Sequence, residues 1–218
     1  MRMLSLFLAI SLLCPRSFAQ QDSAAQHASP QPSQAAGSLP QDTHDGMTLS
    51  ADPYTNPARA KEKFGKANPI PAGILPVEVF LRNDTAQPIH IDLGTIQLDI
   101  HFTSGGSQDV DWLGVYEVAS AIAHPGGAPA PKLPRFPMGV PKGADSKTNN
   151  LANILRPLAL DADIVPPMGM IHGFLFFDMN HRMTLVQSSS LYLPDAAIVP
   201  SNKPLMFFEV PLGVAPAP

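Results

Sequence analysis

Apolar and polar residues alternate most clearly over residues 73–82, where Val77, Val79 and Leu81 fall on one side and Glu78, Phe80 and Arg82 on the other. A period of two marks a strand with one face in a core. The same period runs through Ile89-His90-Ile91-Asp92-Leu93. After Gly94-Thr95 it resumes with Ile96, Leu98, Ile100 and Phe102 inward, against Gln97, Asp99 and His101. Gly94 therefore marks either a bulge in one long strand or a tight hairpin. Residues 170–193 read differently. Phe174, Leu175, Phe176 and Phe177 offer bulk to both faces, which predicts a strand buried on both sides. With Asn180-His181-Arg182 as its turn, this stretch reads as a central apolar hairpin. Shorter strands are expected over 45–49 and 110–113, and a last apolar strand over 205–212.

Three short helices punctuate the strands. Asn56 suits an N-cap, Pro57 the first helical position and Gly65 the residue after the last turn. Ala60 and Phe64 would dock that helix on the sheet. Residues 115–123 place Val115, Val118 and Ile122 on one face. Ser146 caps a third helix over 147–155, limited by Pro157. Asn83-Asp84-Thr85 and Ser104-Gly105-Gly106-Ser107 read as turns; the former is also a glycosylation sequon, taken here as turn chemistry. The 25 prolines disfavour long helices and favour short strands joined by turns. The expected fold is mainly β: an antiparallel β-sandwich with two or three short helices, one domain over 45–212.

The chain ends change where this fold would reside. Met1-Arg2-Met3 precedes an apolar run over 4–13, too short to span a bilayer, and Ser17-Phe18-Ala19 supplies small residues for cleavage. Residues 1–19 thus read as a signal peptide, and the rest as exported, periplasmic or secreted, with no transmembrane helix. Cys14 offers lipid anchoring as the runner-up, although Leu13 is bulky for the position before a lipidated cysteine. Cleavage after Ala19 would remove the only cysteine, leaving the core to stabilise the fold without disulfides. Residues 20–44 are rich in Gln, Ala, Ser and Pro, and read as a disordered leader. Residues 213–218 read as a disordered tail. A net charge of −4, more negative once Arg2 and Arg16 are removed, argues against nucleic acid as a partner.

The run Ala72-Gly73-Ile74-Leu75-Pro76-Val77-Glu78-Val79, followed by Asn83-Asp84 and Gln87-Pro88-Ile89, resembles the second and third strands of immunoglobulin-like β-sandwiches in exported bacterial proteins. Pro166-Pro167-Met168-Gly169 and then Gly173-Phe174-Leu175-Phe176-Phe177 are similar to the strand that follows a proline-glycine turn in such domains. The resemblance implies an immunoglobulin-like fold and an unidentified protein or envelope partner, and it carries over no functional residue. The inter-sheet cysteine pair of many such domains is absent, while Trp112 is present.

Candidate chemistry is sparse. Met168, Met170 and His172 are spaced by two, as are Met179, His181 and Met183. On strands each trio would share a face, and thioether with imidazole suits copper as Cu(I). A hairpin would hold the trios about 25 Å apart, so they would not share one ion. Buried methionine is otherwise a filler of irregular core gaps. If Gly94-Thr95 were a two-residue turn, His90 would face Asp99, with Asp92 and His101 diagonal; these residues also fit the solvated face of an amphipathic sheet. Arg59, Lys61, Lys63 and Lys66 read as a solvated helix face. The Pro/Gly-rich stretch 124–142, with Lys132 and Arg135, reads as a long loop that is either functional or disordered. No nucleophile elbow, phosphate-binding glycine loop or zinc-protease helix occurs in the sequence, and Ser188-Ser189-Ser190 has no base near it in sequence. The reading is a non-catalytic envelope module, with a copper-binding protein as the alternative.

Overall fold

The structure is a computed structural model and describes residues 39–126 and 145–213. The expected signal peptide with Cys14, the expected leader up to residue 38, most of the stretch 124–142 expected to be a loop and the expected tail from 214 lie outside the described residues. In chain order the elements are β1 Gln41–His44, β2 Met47–Pro53, α1 Pro57–Phe64, β3 Ile74–Asn83, β4 Ile89–Ile91, β5 Gln97–His101, β6 Ser107–Asp111, α2 Val115–Ala123 and α3 Ser146–Leu155. There follow β7 Ile164–Val165, β8 Gly169–Asp178, β9 Ser189–Leu193, β10 Ala196–Ile198, β11 Lys203–Pro204 and β12 Phe208–Pro211.

The strands form three antiparallel sheets, ordered β1-β2-β3-β8, β11-β10-β4-β7 and β12-β9-β5-β6. The inward residues of the first sheet, including Leu49, Val77, Val79, Leu81, Leu175 and Phe177, share one core with Ile91, Leu98, Leu191, Phe208 and Val210 from the other two. The fold is a mainly β sandwich. Its first sheet also carries a second, smaller core on its outer face, where Ile74, Phe174 and Phe176 meet Phe64 of α1, Val118 of α2 and Leu155 of α3. β8 is thus buried on both sides, as its run of four bulky residues requires.

Local chemistry explains the helix ends. The Asn56 side chain accepts from Ala58 N and Arg59 N, and Gly65 (φ 55) ends α1. Asp145, one residue before the expected cap, caps α3: its carboxylate accepts from Thr148 N at 3.0 Å and Thr148 Oγ1 at 2.7 Å. His124 approaches the same carboxylate at 2.9 Å. These partners, His124 foremost, hold the Asp145 pKa well below the usual carboxylate range.

Three expectations change. Residues 170–193 do not form a hairpin. β8 pairs with β3 from Ile74↔Asp178 to Asn83↔Gly169, whereas β9 pairs with β5 and β12 in another sheet. After Asp178 the chain turns at Asn180 (φ 46) and His181 (φ 61), then crosses the sandwich in a 3-10 helix, Met183–Ser188. Met179 and Val186 plug the core along that crossing. Gly94 marks neither a bulge nor a hairpin. The segment Leu93–Thr95 is a 3-10 turn, capped by Asp92 accepting from Gly94 N at 2.8 Å, that carries the chain from one sheet to another. Finally, β1 lies within the stretch assigned to the leader. Asp45 (φ 50) and Gly46 (φ 77) supply the two left-handed residues of a tight hairpin, so 41–44 pair with β2.

Asn83 closes the far end of β3. It is fully buried. Its amide donates to Gln87 O at 2.8 Å, Pro166 O at 3.1 Å and Val165 O at 3.3 Å. Its oxygen accepts from Thr85 N and Thr85 Oγ1 at 2.8 and 2.7 Å. Asn83 is therefore turn chemistry, and it ties the β3–β4 turn to the segment entering β8.

Candidate functional site

The densest polar cluster lies on the outer face of the first sheet, at the margin of α1. Glu78 is the one charged residue inside an otherwise apolar stretch of β3, and only 8% of it is exposed. Its carboxylate accepts from Tyr54 OH at 2.9 Å and from Lys63 Nζ at 3.5 Å. His172 Nδ1 stands 3.8 Å away. Next to this group Arg59 forms a two-pronged pair with Asp52 and lies 3.8 Å over the Tyr54 ring. Two of the four basic residues of the α1 region, Arg59 and Lys63, thus fasten the helix to β2 and β3, while Lys61 and Lys66 are exposed.

Burial, followed by the hydrogen bond to Glu78, pushes the Tyr54 pKa up to about 12 from its ordinary 10. The native state therefore holds this proton more tightly than the unfolded chain. The linked stability is complete below about pH 10 and is lost as the pH rises towards about 12. Denaturant melts across that window should show a steeper alkaline loss than Tyr54→Phe shows. Identical slopes for the two proteins would refute the linkage.

Further along the same face stand the predicted ligands. Met170 and His172 are exposed on β8, opposite Arg82 and Phe80 respectively. The His172 ring stacks on Phe80 at 5.6 Å and 15°. Arg82 turns to Asp84 at 3.1 Å. Met168 precedes β8 in a left-handed conformation (φ 50) and is 74% exposed. The second trio disperses: Met179 is buried in the core, His181 lies exposed in the turn against Gly73, and Met183 packs at the core edge. Its methionines are packing residues.

His90 does not face Asp99. It pairs with Ala197 and Ile164, while Asp99 pairs with Asp109 and Ser190 in a different sheet. His90 and Asp92 instead line an open depression of about 390 Å³ with Asp195 and Asn202. Burial, and then Asp109 and Glu209, raise the Asp99 pKa. Among the described residues no three His, Cys, Asp or Glu side chains are grouped to hold a metal ion. Ser188 and Ser189 donate to Leu185 O and Val186 O. Ser189 and Ser190 continue into β9.

A second surface feature had no expectation attached. Met206 is 63% and Phe207 48% exposed, although Leu205 and Phe208 on either side are buried. Their backbone is fixed. Met206 N donates to Asp45 Oδ2 at 3.4 Å, and His44 Nε2 donates to Phe207 O at 2.9 Å while its ring stacks on Phe208 at 3.9 Å. Tyr192 lies 5.6 Å from the Phe207 ring. The available signal was Met206-Phe207 before the alternation of β12, since four apolar residues in a row exceed what a half-buried strand needs.

This chain has no match among family models, curated proteins or solved structures. No helix of the described residues is long and apolar enough to cross a membrane.

Proposed function

We propose that the chain is an exported, non-catalytic interaction or accessory module of the cell envelope, built on an immunoglobulin-like sandwich. Strand order supports the fold. β3 lies beside β8 in one sheet and β5, β9 and β12 are successive neighbours in another, as B–E and C–F–G do in immunoglobulin domains. The signal-like residues 1–19 support export to the periplasm or beyond. The dense polar cluster around Glu78 is spent on fastening α1, which supports a structural use of those groups.

The observation that carries the interaction role is the rigid display of Met206 and Phe207 beside Tyr192. Large apolar side chains held out by a hydrogen-bonded backbone lose little freedom on binding, and such groups anchor protein interfaces. The partner is a protein of the envelope. A photo-crosslinking residue at position 207 in cells should give one discrete adduct in the envelope fraction, lost on Met206→Ser. A residue-207 protein that is exported, folded and free of adducts would overturn the reading.

A further inference from the structure

We propose that Met168, Met170 and His172 form a surface site for one Cu(I) ion at the start of β8. Met170 and His172 project from the same strand face, with a backbone rise of roughly 6.6 Å between them, so a thioether and an imidazole can converge. The imidazole is prepared for the task. Its ring is stacked on Phe80. Its Nδ1 faces the Glu78 carboxylate at 3.8 Å, so Nε2 is the ring nitrogen turned away from Glu78. Nε2 has no partner among the described residues. Glu78 is itself committed to Tyr54 and Lys63 and serves as a positioning residue, not as a ligand.

Met168 provides the third donor, and its backbone is the independent observation. Pro166, Pro167, Met168 and Gly169 form a tight turn closed by Gly169 N donating to Pro166 O at 3.2 Å. The third position of such a turn, with φ 50, ordinarily belongs to glycine or asparagine. A long thioether occupies it instead and points into solvent rather than into a core. Exposed methionine has no packing purpose here. Two thioethers and an imidazole without a carboxylate in the set select a soft monovalent ion over Zn(II), Mg(II) or Ca(II).

The test uses the protein recovered after export, with Cys14→Ser in the expressed gene so that any uncleaved chain lacks the thiolate that would itself take copper. Under anaerobic conditions the protein competes for Cu(I) with the chromophoric chelator bicinchoninate. One equivalent is expected to bind, and to be lost in Met168→Leu/Met170→Leu/His172→Phe, whose phenyl ring keeps the stack on Phe80. Cu(I) should shift the methyl carbon resonances of Met168 and Met170 and leave that of Met206 in place. Met168→Gly relieves the backbone, so it should raise the melting temperature by about 2 °C while weakening Cu(I) at least tenfold. A purely structural Met168 would not move the affinity. The proposal is overturned by no competing equivalent, by an equivalent that survives the triple variant, or by shifts confined to other methionines.

Discussion

Phe174→Ala is expected to destabilise the protein by about 3–5 kcal/mol in denaturant titration. Phe174 is 2% exposed and, with Phe176, joins β8 to the helical layer. Its ring meets Phe64 edge-on at 4.8 Å and Tyr54 at 5.0 Å, with Lys63 Nζ 5.1 Å above it. Truncation removes the transfer energy of the ring and leaves a cavity that the strand cannot close. The register fixes Gly173 against the 159–160 segment, where even a Cβ would lie 2.6 Å from Leu160 Cα. A loss below about 1 kcal/mol would mean that the layer is anchored elsewhere.

Asn83→Ala should cost about 3 kcal/mol, because truncation removes the partners of three carbonyls and a backbone amide in a buried site. Asn83→Asp should be nearly as damaging. A carboxylate can still accept from Thr85, but it cannot donate to Gln87 O, Val165 O and Pro166 O. Thr85→Ala removes the hydroxyl contacts to Asn83 Oδ1, Gln87 O and Gln87 N but keeps the bond from Thr85 N to Asn83, and should cost about 1 kcal/mol. Thermal melts of the three variants test the ranking. An Asn83→Asp protein as stable as wild type would show that the amide donor is dispensable.

These two residues also show how far the sequence could be read. Phe174 announced itself, because four bulky residues in succession leave no face for water, and the structure covers both faces. The caps of α1 were equally legible, since Asn56, Pro57 and Gly65 act within one or two turns. Pairing was not. Period-two alternation states which side of a strand is wet but not which strand lies beside it. The Asn180-His181 turn therefore read as a hairpin although it begins a crossing between sheets. Gly94 misled for the same reason: a three-residue 3-10 turn and a hairpin draw on the same small polar residues. In the candidate site, Met170 and His172 were visible by spacing. Glu78 and Tyr54 were not joined, because nothing local links residues 54 and 78. Only the pairing of β2 with β3, which sets Pro53 opposite Val77, brings them together.

The β3–β8 pairing has a consequence in time. The paired strands β3 and β8 of the first sheet are roughly a hundred residues apart, and helices α2 and α3 intervene. A chain that emerges from its N-terminus presents β1, β2 and β3 long before β8 exists. During that interval one edge of β3 is open, and Leu75, Val77 and Val79 lack the cover that the completed sandwich provides. Such an edge is a template for pairing with another copy of the same strand. Refolding at rising protein concentration should accordingly lose yield to aggregates seeded by residues 74–83. In the completed molecule that edge of β3 is covered, because there β3 lies between β2 and β8.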